Sequence, residues 1–98
     1  MSSFKDIISG ETPTLVDFHA TWCRPCHTMS PIIDEIKRRY GNKLRVIKVD
    51  VDKNQKASAK YKVRGVPTFL LFQRGEIKWR AAGVLTRRNL MQQIDALV

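Results

Sequence analysis

The sequence predicts an α/β fold with a mixed central sheet of about four strands flanked by helices. Segments with apolar residues at helical spacing alternate with short runs of β-branched and aromatic residues, in the order α-β-α-β-α-β-β-α. This order favours a sheet that is covered by helices on both faces. The length of 98 residues, with 43% hydrophobic and 28% charged residues, indicates a single globular domain over residues 1–98.

The first helix and the first strand are predicted from capping and composition. Ser3 and Asp6 have the spacing of a capping pair ahead of a short amphipathic helix, and Gly10 is its expected stop. The run from Thr14 to His19 is rich in β-branched and aromatic residues, which is typical of a strand.

A long helix and a second strand follow. The helix is predicted over residues 24–40, and Gly41-Asn42 is expected to end it. Its helically spaced apolar and aromatic residues are Met29, Ile32, Ile33, Ile36 and Tyr40. Residues 44–49 are predicted to form a second, buried strand.

The second half of the chain contains shorter elements. Residues 54–61 are predicted to form a helix, and residues 68–73 and 76–82 a hairpin around Arg74-Gly75. A last helix is expected behind Thr86. Its apolar positions are Leu90, Met91, Ile94 and Leu97.

Both cysteines of the chain, Cys23 and Cys26, lie where the first strand gives way to the long helix. At a helix N-terminus, unpaired backbone N–H groups and the positive end of the dipole favour a thiolate, so the pKa of Cys23 is expected to be lowered. Cys23 is therefore the predicted nucleophile. Cys26, one turn further in, is expected to be more enclosed, to keep its proton until a mixed disulfide forms on Cys23, and then to release the product.

The same residues permit two other chemistries. Cys23, Cys26 and His27 satisfy the C-x-x-C-H pattern of haem attachment, but the β-rich surroundings leave no place for a haem pocket. Zinc binding by these three residues and His19 is disfavoured, because ligands crowded into nine residues lack the separated pairs of structural zinc sites. We therefore expect no metal site.

The charge balance is strongly basic, with 18 Lys and Arg against 9 Asp and Glu and a net charge of +9. The basic residues are spread over several elements without a nucleic-acid-binding motif, which favours a solvated exterior or acidic partners over nucleic acid. No apolar run approaches the roughly 20 residues of a membrane span. No secretory leader opens the chain, so a soluble, cytoplasmic protein is expected, or an exported one if a leader has been removed.

The segment Trp22-Cys23-Arg24-Pro25-Cys26 resembles the active site of the thioredoxin family, which reads Trp-Cys-Gly-Pro-Cys. The resemblance extends over nearly the whole chain. Leu15–Phe18 before the active site, Gly65–Phe69 after it and Gly83 near the last strand follow in the family's order and approximate spacing. The fold that this resemblance implies is the thioredoxin-like fold.

The chain departs from the family in three places. Arg24 replaces the usual glycine between the cysteines, and His19 stands where thioredoxins commonly have tryptophan. Only thirteen residues precede Thr14, so the N-terminal edge strand found in many thioredoxins is expected to be missing. Arg24, Pro25 and His27 lie beside the cysteines and are expected to tune them, His27 because histidine titrates near neutral pH.

Asp17 and Lys48 are candidates for proton transfer. A carboxylate in apolar surroundings has a raised pKa and is able to relay the proton of Cys26, although an ordinary half-exposed strand aspartate fits the same pattern. The resemblance favours the relay, because the family has a buried aspartate six residues before the first cysteine, as Asp17 is here. Lys48 resembles the family's lysine near that aspartate; the alternative is a solvated edge lysine.

The resemblance also implies a client-binding groove. The proline that matches Pro67 has a cis peptide bond in this family, and the residue before it, Val66 here, offers backbone groups to an extended substrate. Trp22 is expected to be an exposed apolar wall of the groove rather than a core aromatic. Gly83 is expected to allow close backbone approach.

The implied function is that of a protein dithiol-disulfide oxidoreductase, active in electron transport and cell redox homeostasis. It would reduce client disulfides through the Cys23-Cys26 pair, as a monomer, with no bound cofactor and with electrons from NADPH through a separate thioredoxin reductase-like flavoprotein. Two alternatives stay open. One is a disulfide oxidase or isomerase of an exported compartment, and the other is a docking module whose cysteines are dispensable.

Overall fold

The computed structural model describes residues 3–98. The helices and strands alternate as the sequence predicts, with a short 3-10 turn at Gly41–Lys43. The elements are α1 (Phe4–Ile8), β1 (Thr14–His19), α2 (Arg24–Tyr40), β2 (Arg45–Asp50), α3 (Gln55–Lys60), β3 (Thr68–Gln73), β4 (Glu76–Ala82) and α4 (Arg87–Asp95).

The four strands form one mixed sheet in the order β2-β1-β3-β4. β1 pairs with β2 in parallel and with β3 in antiparallel, and β4 pairs with β3 in antiparallel. The predicted four-stranded mixed sheet is therefore confirmed. Within residues 3–98, β1 is preceded by the helix α1 and by no strand, as expected.

Alternate residues of β1 face opposite sides of the sheet, and each side has its own core. Leu15 belongs to a cluster with residues of α2 and α4, whereas Val16 and Phe18 belong to a cluster with α1 residue Ile8. Helices therefore cover both faces. Asp17 and His19 share the strand face of Leu15, so they point toward α2.

The helix termini confirm the capping predictions. The Ser3 hydroxyl accepts from the Asp6 backbone N–H, and the Asp6 carboxylate accepts from the Ser3 N–H. α1 ends at Ile8 with Ser9 as its C-cap, two residues before the predicted stop at Gly10. Thr86 caps α4 by accepting from the backbone N–H of Asn89, at 3.1 Å.

β2 corrects one expectation, since it begins one residue later than predicted and is not a buried strand. Val49 is buried, but the other residues of β2 are exposed or half-buried. The reason is its position at the edge of the sheet, where it has a neighbouring strand on one side only.

The predicted hairpin is confirmed, with positive φ angles of 53° at Arg74 and 79° at Gly75 in its two-residue turn.

α2 is the longest helix and positions the cysteines against the sheet. Its inward residues reach from Cys26 to Tyr40, whose hydroxyl donates to Asp95 Oδ1 of α4 at 2.6 Å. Burial and this hydrogen bond raise the pKa of Tyr40 to about 12, so the contact persists through neutral pH. In the part of the chain that the structure describes, α2 and the other helices are too short or too polar to cross a membrane.

Candidate active site

The two cysteines meet at the start of α2. Cys23 is its N-cap residue, with the extended backbone angles φ −88° and ψ 109°, and Cys26 lies in the first turn. The two residues form a disulfide, with Cα atoms 5.3 Å apart. The backbone N–H of Cys26 donates to Cys23 Sγ at 3.1 Å. The sulfur of Cys23 therefore occupies the position where a helix N-terminus stabilises negative charge.

Both cysteines are buried in the disulfide form. Cys23 is 3% exposed and Cys26 is 6% exposed, so the expectation that Cys26 is the more enclosed of the two is wrong here. Ala20 packs with both cysteines, and Val51 and Val66 close over them. Burial therefore does not distinguish the chemical environments of the two sulfurs. Their different positions at the helix N-terminus do.

On one side of the disulfide lies a space of about 250 Å³ that we call the polar cavity. Of the two cysteines, Cys26 lines it. Its lining residues are Asp17, His19, Ala20, Thr21, Cys26, His27, Ser30 and Lys48. Side chains with titratable groups thus line the same cavity as Cys26, although Cys26 is not the more buried of the two cysteines.

Asp17 is the buried carboxyl of the polar cavity, with a residue exposure of 5%. Burial raises the pKa of Asp17, while the positive charges of His19 and, to a smaller extent, Lys48 lower it; burial prevails. The raised pKa predicted from the sequence is therefore confirmed, and the half-exposed alternative is wrong.

Lys48 lies next to Asp17 in the parallel register of β1 and β2. Its Nζ lies 3.4 Å from Asp34 Oδ1 on α2, and its side chain is 43% exposed. Lys48 is thus near the buried aspartate, as expected, but its ammonium pairs with a different carboxylate. The sequence contained no signal for this pair, because it depends on how α2 lies across the sheet.

On the other side of the disulfide lies what we call the apolar groove, of about 130 Å³. It is lined by Trp22, Val51, Val63, Arg64, Gly65 and Val66. Trp22 is 69% exposed, which confirms that it is not a core aromatic. Its Nε1 donates to Asp52 Oδ2 at 2.8 Å, so the exposed ring is held in place by a residue thirty positions away.

The backbone beside the groove is held by hydrogen bonds. The Val66–Pro67 peptide is cis, as the resemblance implies. Pro67 O accepts from the backbone N–H of Gly83 at 2.9 Å, and Thr68 Oγ1 donates to Gly65 O at 2.7 Å. Gly83 has φ +88°, and no atom lies within 4 Å of a Cβ built there. Within this chain, the backbone conformation rather than crowding requires glycine at this position.

The remaining residues predicted near the cysteines lie on the outer surface of α2. Arg24, Pro25 and His27 are exposed, and His27 Nε2 lies 3.0 Å from Thr21 O. Residues 3–98 contain no group of three or more His, Cys, Asp or Glu side chains that fits a metal ion. The geometry thus brings together a dithiol, a buried carboxyl and a groove.

Comparison with known proteins decides the family. The thioredoxin family model matches residues 1–96. The chain belongs to the thioredoxin family. It is 40% identical over 92 residues to a thioredoxin of Pseudomonas aeruginosa, covering 94% of this chain and 85% of the relative. It is 42% identical over 94 residues to the chloroplastic thioredoxin Y1 of Arabidopsis thaliana, covering 95% of this chain and 55% of the relative.

Solved thioredoxin structures have the same fold. A single-site mutant of a thioredoxin from Halobacterium salinarum superposes with a TM-score of 0.88 at 33% identity, covering 99% of this chain and 84% of that one. The oxidised mitochondrial thioredoxin 3 of Saccharomyces cerevisiae gives 0.86 at 30% identity, covering 96% and 87%. The thioredoxin-like fold predicted from the sequence is confirmed. With its cysteine pair at disulfide distance, this thioredoxin is a dithiol-disulfide oxidoreductase that acts on disulfide-containing clients.

Proposed function

We propose that this thioredoxin reduces client disulfides by attack of Cys23 and resolution by Cys26. The Cys23 thiolate bonds to one client sulfur, and the other leaves as a thiolate. Cys26 then attacks Cys23 Sγ, which releases the second client sulfur and forms the Cys23-Cys26 disulfide. The observation that carries this assignment is the N-cap position of Cys23, whose Sγ accepts the Cys26 N–H at 3.1 Å. This contact favours the thiolate on Cys23 over that on Cys26.

Asp17 is the proposed proton acceptor for Cys26. Both residues line the polar cavity, and Cys23 does not. A buried carboxyl with a raised pKa is a stronger base than an exposed one, which suits removal of a thiol proton near neutral pH. Because the cavity is large enough to admit water, a proton can pass between the two groups without direct contact.

The apolar groove is the proposed docking surface for the client backbone. Trp22 offers an exposed ring, and Val66 lies between the groove and the disulfide. The backbone N–H of Gly83 donates a hydrogen bond to Pro67 O, so Gly83 lies next to the residue that follows the cis peptide bond. Residues 51–66 around the groove contain several basic side chains and one acidic residue, Asp52, which is bonded to Trp22. This excess of positive charge favours clients with acidic residues near their disulfide rather than nucleic acid.

The electrons for each cycle are proposed to come from NADPH through a separate flavoprotein reductase, which reduces the Cys23-Cys26 disulfide. The redox-active group is then part of the chain, and no bound cofactor is needed. Residues 1–98 are proposed to form one domain, since both core clusters are built on a single sheet. The domain is further proposed to act as a monomer in the cytoplasm. A role in cell redox homeostasis and electron transport follows from this cycle.

Trapping of mixed disulfides tests the assignment of the two cysteines. Cys26→Ala should accumulate a covalent complex with a client such as insulin, detected by non-reducing electrophoresis and mass spectrometry. Cys23→Ser should form no such complex and should not reduce insulin. If Cys23→Ser traps clients or keeps normal activity, the roles are wrongly assigned. Reduction potential against a glutathione series separates a reductase from an oxidase or isomerase.

A further inference from the structure

His19 lines the polar cavity together with Asp17 and Cys26. It follows Asp17 by two residues in β1, so both side chains project from the same face of the sheet. His19 is half-buried, at the end of the strand next to the active site.

The neighbouring strand brings two further charges to the same face. In the parallel register, Lys48 of β2 lies beside Asp17 and Asp50 lies beside His19. The Lys48 Nζ lies 3.4 Å from Asp34 Oδ1, and this ion pair offsets part of the effect of the Lys48 charge on Asp17. Asp50 Oδ1 accepts the backbone N–H of Asp52 at 2.9 Å.

The helix α2, which packs over this face, contributes Cys26 and His27 to the cavity. His27 is exposed, and its Nε2 lies 3.0 Å from Thr21 O. Among the titratable groups facing Asp17 from β1, β2 and α2, His19 is the basic one that shares its strand, its face and its cavity.

We propose that His19 is a positioning residue for the resolving step, whose positive charge holds Asp17 in the ionised form that accepts the proton of Cys26. This inference rests on the proposed relay. In the mixed disulfide, the proton of the Cys26 thiol passes to Asp17, the Cys26 thiolate bonds to Cys23 Sγ, and the client sulfur leaves with the electron pair of the broken S–S bond. The proton on Asp17 then passes to solvent through the cavity.

A histidine is positively charged only when it is protonated, so an effect of that charge on Asp17 depends on pH. Burial disfavours ionised Asp17, and a protonated His19 opposes that effect. Without the positive charge, ionisation of Asp17 requires a higher pH. The resolving step should then slow on the acid side of its pH profile, while it is unchanged at high pH, where Asp17 is ionised in either case.

Direct titration of Asp17 tests the coupling in the disulfide form, in which neither cysteine titrates. The 13C shift of the Asp17 carboxyl is followed against pH in the wild type, His19→Gln and His19→Lys. We expect the midpoint to move to higher pH in His19→Gln. His19→Lys should bring it back toward or below the wild-type midpoint, because it restores the charge and not the ring. Equal midpoints in the wild type and His19→Gln overturn the proposal, as does a His19→Lys midpoint equal to that of His19→Gln.

The resolving rate tests the consequence for catalysis. Reduced protein is mixed with dithiobis(nitrobenzoate), and release of the second thionitrobenzoate reports attack by Cys26. At a pH of about 6, on the acid side of the profile, His19→Gln should slow this phase roughly 1.5- to 5-fold, the range for a partly exposed charge pair. In an Asp17→Asn background the same substitution should have no effect.

The outcomes separate this inference from the proposed relay. If the Asp17 midpoint does not move, the inference fails although the relay stands. If the midpoint moves but Asp17→Asn resolves at the wild-type rate, the relay is wrong and the role of His19 in resolution falls with it. A rate loss in His19→Gln that persists in the Asp17→Asn background shows a structural effect and also overturns the proposal.

Discussion

The two sides of the disulfide differ in chemistry. The polar cavity, with Asp17 buried at its wall, lies against Cys26, whereas the apolar groove is bounded by the exposed ring of Trp22 and by Val66. The cavity contains groups that gain and lose protons; the groove offers an apolar surface and backbone. The contrast supports the proposed function, with proton transfer on one side of the cysteines and client binding on the other.

This division has a structural cause. The polar cavity lies where β1 faces the start of α2, and the edge strand β2 contributes Lys48 to its lining. The groove is formed by the loops that follow β2 and precede β3, where Val51, Val63 and Val66 come together. Substitutions on one side should therefore change pH dependence, and substitutions on the other should change client affinity.

The largest expected effect is on the cavity side, in Asp17→Asn. Loss of a positioned proton acceptor should slow release of the client on the order of 10²-fold, at the low end of the range for general bases. The substitution keeps the side-chain volume, so the fold should stay intact. Stopped-flow measurement of the resolving phase from about pH 6 to 9, the range of thiol titration, checks this. Glu76→Gln, which removes an exposed hairpin carboxylate, is the control. A rate profile equal to the wild type would exclude the relay.

The same variant should show the cost of the buried carboxylate in stability. Burial raises the pKa of Asp17 above 3.8, so the folded state binds this proton more tightly than the unfolded state. The stability due to the neutral carboxyl is complete below pH 3.8 and is lost as pH rises through the folded-state pKa. Asn stays neutral throughout, so Asp17→Asn should gain stability over the wild type as pH rises toward neutral. Urea unfolding of both disulfide forms at a series of pH values measures the difference in their free energy of unfolding. A difference that does not change with pH would contradict the prediction.

On the groove side, the largest expected effect is that of Trp22→Ala. An exposed tryptophan at a docking surface is a typical binding hot spot, and its loss should cost roughly 1–2 kcal/mol, or about 5- to 30-fold in kcat/KM for a protein client. The resolving rate and its pH profile should stay close to wild type, because the polar cavity is untouched. Asp52→Asn, which weakens the hydrogen bond to Trp22, should give a smaller loss in the same direction. A changed pH profile in Trp22→Ala would show that the two sides are not independent.

A smaller effect is expected for Arg64→Gln, at the rim of the groove. For a client with acidic residues beside its disulfide, kcat/KM should fall roughly 1.5- to 5-fold at low salt, and the loss should shrink at high salt. Arg45→Gln is a matched control, because Arg45 is also exposed but lies at the start of β2, whereas the groove follows the end of that strand. Equal losses in the two variants would assign the effect to net charge rather than to the groove.

The smallest expected effect is that of Arg24→Gln, between the two sides. A guanidinium next to Cys23 favours its thiolate, which exists only in the reduced form, so we expect Arg24 to make the disulfide more oxidising. Arg24 is exposed, and an exposed pair contributes roughly 0.2 to 1 kcal/mol. The potential of Arg24→Gln should fall by roughly 5 to 20 mV. A potential that is unchanged or higher, with an unmoved Cys23 pKa, would show that Arg24 points to solvent or to the client instead.

Much of the fold could be predicted because local signals decide it. The bounds of β1, α2, β3 and β4 follow from the spacing of apolar residues, and the Ser3–Asp6 and Thr86 caps follow from hydrogen bonds that span three residues. The position of the cysteines at the start of α2 is of the same kind. Spacing alone does not distinguish a buried Asp17 from a half-exposed one, and the resemblance to the family favours the buried state.

Contacts between distant elements could not be predicted in this way. The edge position of β2, the pairing of Lys48 with Asp34 and the hydrogen bond from Trp22 to Asp52 all depend on the order of the strands and on how α2 lies across them. The equal burial of the two cysteines also depends on Val51 and Val66, which arrive from other loops.

Local sequence patterns are sufficient to predict the order of helices and strands and the position of the cysteine pair at a helix N-terminus. Backbone hydrogen bonding and side-chain periodicity act over a few residues, and those residues are adjacent in the chain. The packing of distant elements, in contrast, brings Asp17, His19, Lys48 and Cys26 into one cavity. Burial and electrostatic coupling depend on distances through space, and packing of the sheet against α2 sets those distances.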